Sequence, residues 1–224
     1  MLLKSFNEYL LYKFQFMWLF IVIPFMFLIC VLWILNLKYS PTEKAKKLYL
    51  GYFAFIFCYT LTRIFFFIAD FYGEYGGMED SFEFILYIKL AYISTSVGLV
   101  IFFFFFERDF VPTKFIFTGI AFIFGVLFIF LPYDYMKLLM YIMQPIYLLE
   151  IMSIYIYLLI KGTGDLKKKA LSSIISLIIF FVGILLDTRA VTDLNIIPAF
   201  IAPIVFMIGL GSFYYTQKFE KTEQ

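Results

Sequence analysis

The sequence predicts an all-α fold: a polytopic membrane protein arranged as a seven-transmembrane helix bundle, amino terminus outside and carboxyl terminus inside. Three observations carry this expectation. Apolar runs of spanning length recur seven times, and the connections between them alternate between lysine-rich and lysine-poor. In addition, 64% of the 224 residues are hydrophobic against 15% charged, with a mean hydropathy of +0.95, far from the balance of a soluble domain.

At ~1.5 Å per helical residue, some 20 apolar residues cross a hydrocarbon core of ~30 Å. Runs of this kind lie at 14–37, 48–71, 82–106, 114–131, 137–160, 170–186 and 195–216. Ahead of the first, Leu2, Leu3, Phe6 and Leu10 alternate with Lys4, Asn7, Glu8 and Lys13, the pattern of a short interfacial helix. The apolar run that follows is too long for a signal peptide and lacks a small-x-small cleavage site, so this segment is expected to stay attached.

The second run is the one that raises a chemical question, because it carries Arg63 and ends at Asp70. A cation inside a spanning helix costs ~2.5 to 3.5 kcal/mol on insertion scales, so Arg63 must point into the protein or reach an interface. Asp70, seven residues on, shares its face with Arg63, Tyr59, Tyr52 and Thr60. In the third run Lys89 lies at a similar depth, roughly 10 to 12 Å below the outer surface, and continues into Tyr92 and Ser96 along one stripe.

The fourth run contains Gly119 and Gly125 and the sixth contains Gly183, positions that permit close helix approach. On the fifth, Gln144, Tyr147 and Glu150 follow one another at helical spacing, with Glu150 near mid-membrane. The sixth aligns Ser173, Ser176, Gly183 and Asp187. In the seventh, Pro198 and Pro203 precede Gly209 and Gly211, a sequence expected to kink.

Orientation follows from the connections. Lys38, Lys44, Lys46, Lys47, Arg108, Lys114, Lys161, Lys167, Lys168, Lys169, Lys218 and Lys221 fall on one side, and only Lys4, Lys13, Lys137 and Arg189 on the other. That asymmetry places the amino terminus outside. Short connections make residues 1–224 a single seven-helix membrane domain, located in the cell membrane.

Composition excludes several chemistries. With no histidine, bis-histidine haem, a histidine-lined metal site and imidazole acid–base catalysis are unavailable. Cys30 and Cys58 both fall within apolar runs and are read as free buried thiols. The 33 Phe and 18 Tyr lack the basic solvated surface that nucleic-acid binding needs. Gly162-Thr163-Gly164-Asp165 and Tyr133-Asp134 resemble the halves of an intramembrane aspartyl protease site, but they bracket the fifth run and stand ~30 Å apart. No enzyme, cofactor or metal site is expected.

The candidate site is therefore a polar pocket in the outer half of the bundle, formed by Arg63, Lys89, Glu150, Asp70, Asp187, Tyr59, Tyr92 and Gln144. Arg63 and Lys89 would bind an anion and Glu150 would form the floor. The alternative is structural: Arg63 pairs with Asp70 or Asp187, Lys89 snorkels outward, and Glu150 is protonated or bonded to a neighbouring Tyr or Ser.

Lys44 to Lys47 leading into a long second helix, Phe106-Glu107-Arg108 ending the third, Lys167 to Lys169 before the sixth, and Ile197-Pro198 to Gly209 in the seventh form a recurring order. In that order the chain resembles the seven-helix sensor module at the amino terminus of many prokaryotic membrane histidine kinases. The resemblance implies a receptor-like module that binds a small ligand or lipid. About eight residues follow Thr216 in place of a kinase domain, so signalling is expected to pass to a separate cytoplasmic protein. The bilayer is the other expected partner, with a homodimer as a further option; nucleic acid is not one. A small transporter or channel, or a structural subunit of a membrane complex, are the alternatives.

Overall fold

The computed structural model describes residues 6–40, 42–111, 113–188, 191 and 198–218. Helix dominates, and there is no strand among the described residues. After α1 (Phe6–Leu11) and a 3-10 turn (Tyr12–Phe14) come α2 (Gln15–Met17), a π-helical turn (Trp18–Val22) and α3 (Ile23–Lys38). Next are α4 (Glu43–Asp70), a second π-helical turn (Phe71–Tyr75) and α5 (Phe82–Asp109). The chain continues through α6 (Ile116–Phe130), α7 (Tyr133–Lys161), α8 (Asp165–Leu186) and α9 (Ile201–Gln217).

Among the described residues, five helical segments are long and apolar enough to cross a membrane: Glu8–Lys38, Glu43–Gly73, Phe82–Asp109, Tyr133–Lys161 and Leu166–Leu186. Ile116–Phe130 and Ile201–Gln217 are apolar but shorter. The chain is thus an all-helical protein built for a membrane.

Helix ends depart from the hydropathy runs where hydrogen bonding decides them. Extended at φ −133°, ψ 151°, Thr42 accepts the Ala45 N–H through its side chain, so α4 starts five residues before its apolar stretch. Ser81 caps α5 the same way, accepting from the Phe84 N–H at 3.2 Å. The fourth helix starts at Ile116 because Lys114 and Phe115 are both left-handed.

In the last helix the expected kink is absent. Pro203 is the third residue of α9, in the first turn, where no intrahelical N–H bond is lost. Residues 195–197, assigned to this helix from hydropathy, lie outside the described residues.

The chain packs as two compact units, residues 1–147 and 148–224, divided within α7. In the first unit α4 and α5 run antiparallel. Thr62 on α4 donates to the Ala91 carbonyl and shares a 2.9 Å bond with Thr95. Further along, Gly98 brings α5 so close to α4 that a Cβ would stand 2.8 Å from that of Cys58 and 3.3 Å from the Phe55 backbone. Trp33 of α3, fully buried, packs tilted against Tyr52 and Tyr49 of α4 with ring centroids at 4.8 and 5.3 Å. On α6, Gly125 faces α5 at Ser96, whose Cβ would stand 3.2 Å from a Cβ added at the glycine. The first part of α7 joins through Tyr147, whose hydroxyl lies 3.2 Å from that of Ser96.

The α5–α6 corner is closed by a carboxylate. Glu107, 6% exposed, accepts from the Phe117 and Thr118 N–H groups at 2.9 Å and from the Thr113 and Thr118 hydroxyls at 2.5 Å. Negative charge at a helix N-terminus is favourable, and two of the otherwise orphaned N–H groups of α6 find their acceptor here.

The amino-terminal helix is bound rather than free on a surface. Tyr9 is fully buried, donates to the Phe67 carbonyl at 2.6 Å, and packs on the rings of Phe67, Phe71 and Tyr75. The Tyr75 hydroxyl donates to Glu8; desolvation first, and then that carboxylate, raise it above its ordinary pKa. Between α1 and α2 the chain turns through Lys13 and Phe14, at φ 44° and 59°, each left-handed residue costing roughly 1 to 2 kcal/mol.

In the second unit α8 and α9 meet through reciprocal glycines. Gly183 lies against the Phe206 backbone and Gly209 against that of Phe180, while the two phenylalanine rings meet tilted at 4.9 Å. Gly119, also expected to mediate close packing, faces open space instead. At the other end of the pair, buried Ser173 donates to the Lys169 carbonyl and accepts from the Gln217 amide.

Candidate functional site

Arg63 is 9% exposed, seven residues before the end of α4. Its guanidinium carbon lies 4.2 Å from the ring centroid of Trp18 and 5.6 Å from that of Tyr59. Tyr59 is one turn back on α4, so helical spacing alone puts it there. Trp18 arrives from the first segment, at the start of the π-helical turn Trp18–Val22. Such turns re-aim side chains within a helix.

Across the pair, Tyr92 of α5 is buried within electrostatic reach of Arg63 and Tyr59. Phe128 stacks on it at 5.0 Å and Phe66 meets it edge-on at 5.3 Å. A desolvated cation–π contact contributes about 2 kcal/mol. Trp18 and Tyr59 together therefore offset much of the ~2.5 to 3.5 kcal/mol that a buried arginine costs.

The structure thus gathers three of the anticipated residues, Arg63, Tyr59 and Tyr92. Asp70 stands half-buried at the end of the same helix. Lys89 is directed elsewhere: its ammonium lies 3.5 Å from the Ile129 carbonyl, in the last turn of α6, where a cation meets the negative end of the helix dipole. Gln144 is exposed on α7. Glu150, 4% exposed, and Asp187, half-buried as the C-terminal cap of α8, belong to the second unit.

Sequence reasoning missed Trp18, because aromatic residues in this chain are so numerous that they read as lipid-facing filler. Glu107 was missed as a cap. Its signal was present in Thr113 and Thr118 flanking the start of α6, six and eleven residues downstream.

Cys30 and Cys58 are free thiols. Among the described residues, no group of three or more His, Cys, Asp or Glu is placed to hold a metal ion. A groove of about 360 Å³ in the second unit is lined by Leu148, Met152, Ile156, Ile178, Phe181 and other aliphatic residues. It has no polar group to orient a ligand, whereas specific ligand pockets combine an apolar wall with a few placed polar groups. The Arg63 cluster meets that description.

Comparison with known proteins found no matching family model, no matching curated protein and no matching solved structure. The class rests on the helices themselves: a helical membrane protein with a buried, aromatic-flanked arginine.

Proposed function

We propose that this chain is a non-enzymatic, receptor-like seven-helix module of the cell membrane that binds an anionic small molecule or lipid beside Arg63. Its amino terminus is outside, and it passes a shift of its last helices to a separate cytoplasmic protein. The observation that supports the site is the setting of Arg63. Stacking engages the faces of a guanidinium, while its N–H donors lie in the plane and match the paired oxygens of a carboxylate or phosphate. A cation held this way, with Tyr59 and Tyr92 beside it, is preorganised for an anionic group carrying an apolar body.

In this reading α6 and α9, at 15 and 17 residues, are the fourth and seventh spans. Spans of this length fall short of ~30 Å and are accommodated by local thinning of the bilayer. The lysines at the adjoining ends of α3 and α4 and of α7 and α8 then face the cytoplasm and its anionic lipids.

The test is lipid retention. In phosphatidylcholine nanodiscs doped with phosphatidylglycerol, native mass spectrometry of the parent protein is expected to show bound anionic lipid. Arg63→Met is expected to weaken it about tenfold, the loss of one charge-assisted pair, with helical content unchanged. Equal retention by both proteins rules out Arg63 as the anion site. Cross-linking from a carboxyl-terminal tag tests the signalling half: capture of a cytoplasmic signalling protein supports it, and capture of this chain alone rejects it in favour of a homodimer.

A further inference from the structure

We propose that residues 6–14 form a hinged strap that closes over the Arg63 site, with Lys13 and Phe14 as the hinge and Tyr9 as the latch. This rests on the Arg63 reading above and adds how the site is opened.

Three independent features of the fold point to it. The first is where the strap is fastened. Tyr9 donates to the carbonyl of Phe67, one helical turn beyond Arg63 on α4, and its ring packs on Phe67, Phe71 and Tyr75. Tyr12 adds a contact to Tyr75 at 5.4 Å. The strap therefore lies across the end of α4 nearest Arg63.

The second feature is the hinge. Lys13 and Phe14 are consecutive non-glycine residues in the left-handed region, an arrangement that persists only when surrounding contacts hold it. Among the described residues there is one other such pair, Lys114 and Phe115, with the same residue types. There the four hydrogen bonds to Glu107 hold the turn. At Lys13 and Phe14 the contacts on the far side of the hinge are those of Tyr9, joined by Phe6 against Phe67 and Phe71, Tyr12 against Tyr75 and the Tyr75–Glu8 hydrogen bond. Tyr9 is the buried member of that set, so releasing it loosens the strap and lets the backbone relax.

The third feature is what the hinge carries. Trp18 follows within one turn, at the π-helical turn, and its ring covers the guanidinium of Arg63 at 4.2 Å. Motion at the hinge is transmitted to the residue that covers the cation. With the amino terminus outside, the strap stands between the site and the outer interface.

The chain has two tryptophans, so Trp33→Phe leaves Trp18 as the sole indole reporter. The full-length protein in phosphatidylcholine vesicles, with no ligand added, is titrated with acrylamide. The Trp18 quenching constant is expected to rise at least about threefold in Tyr9→Ala and by a smaller factor in Tyr9→Phe, which loses only the hydroxyl bond. Circular dichroism confirms that helix content is retained, and if Tyr9→Ala fails to fold, Tyr9→Phe decides alone. Unchanged quenching in the folded variants overturns the strap. Because the readout needs no ligand, a strap that opens in a protein retaining no anionic lipid refutes the site and not the hinge. Lipid retention with constant Trp18 quenching does the reverse.

Discussion

Gly209→Ala is expected to destabilise the protein by about 2 to 3 kcal/mol, the upper part of the range for forcing an extra methyl into a packed contact. A Cβ at this position would stand 2.3 Å from the Phe180 nitrogen, 2.5 Å from its Cα and 2.9 Å from the Ile179 carbonyl carbon. All three are backbone atoms of α8, so no rotamer change relieves the clash and the helices must separate. Gly183→Ala meets the backbone of Phe206 at 2.5 and 2.6 Å and should behave alike. The double variant should cost less than the sum, because one separation of α8 from α9 relieves both contacts. Thermal unfolding in detergent reads each value. Gly119→Ala serves as the contrast: nothing lies within 4 Å of its Cβ position, so it is expected to be neutral or to stabilise by up to ~1 kcal/mol through helix propensity. If Gly209→Ala and Gly119→Ala shift stability equally, the α8–α9 contact is not as close as described.

That contrast also marks what hydropathy and spacing can read. Each of the seven apolar runs contains helix among the described residues, five of them long enough to cross a membrane, because an apolar stretch satisfies its backbone only that way in a membrane. Helix ends were less legible. The start of α4 lies among charged residues, Glu43 to Lys47, and is set by the Thr42 hydroxyl, which a hydropathy scale does not register. Gly119 and Gly125 occupy the same helix and look equivalent in sequence, yet only Gly125 meets a neighbour. Which side of a helix a glycine faces depends on the partner.

The candidate site was legible to the extent that it lies on one helix face. Spacing aligned Tyr59 with Arg63 on α4 and identified Tyr92 on α5. It did not reveal Trp18, which reaches Arg63 after a left-handed turn and a π-helical turn that no periodicity encodes. Lys89 shares the depth of Arg63 but engages the α6 carbonyl, since depth constrains position along the helix axis and leaves direction around it open.

Glu107→Ala is expected to be the other severe lesion, costing at least about 3 kcal/mol, the worth of two charge-assisted hydrogen bonds. The side chain projects from the last turn of α5 and accepts four hydrogen bonds around the first turn of α6. The Thr113 and Thr118 hydroxyls can rotate toward other acceptors once it is gone, but the Phe117 and Thr118 N–H groups are fixed by the helix and lose theirs. Phe115, the residue before α6, makes no side-chain cap of its own. Glu107→Gln is not a conservative change here: its amide presents an NH2 where one oxygen now receives two donors, so donor faces donor, and about half the loss is expected to remain. Lys114→Gly provides the opposite sign. Lys114 is exposed at φ 55°, a conformation glycine adopts freely, and the substitution should stabilise the corner by about 1 kcal/mol. Combined with Glu107→Ala it should recover that amount and no more, because it relieves backbone strain without restoring an acceptor. Unfolding measurements that find Glu107→Ala within 1 kcal/mol of the parent would show that the α5–α6 corner is held by its apolar contacts instead.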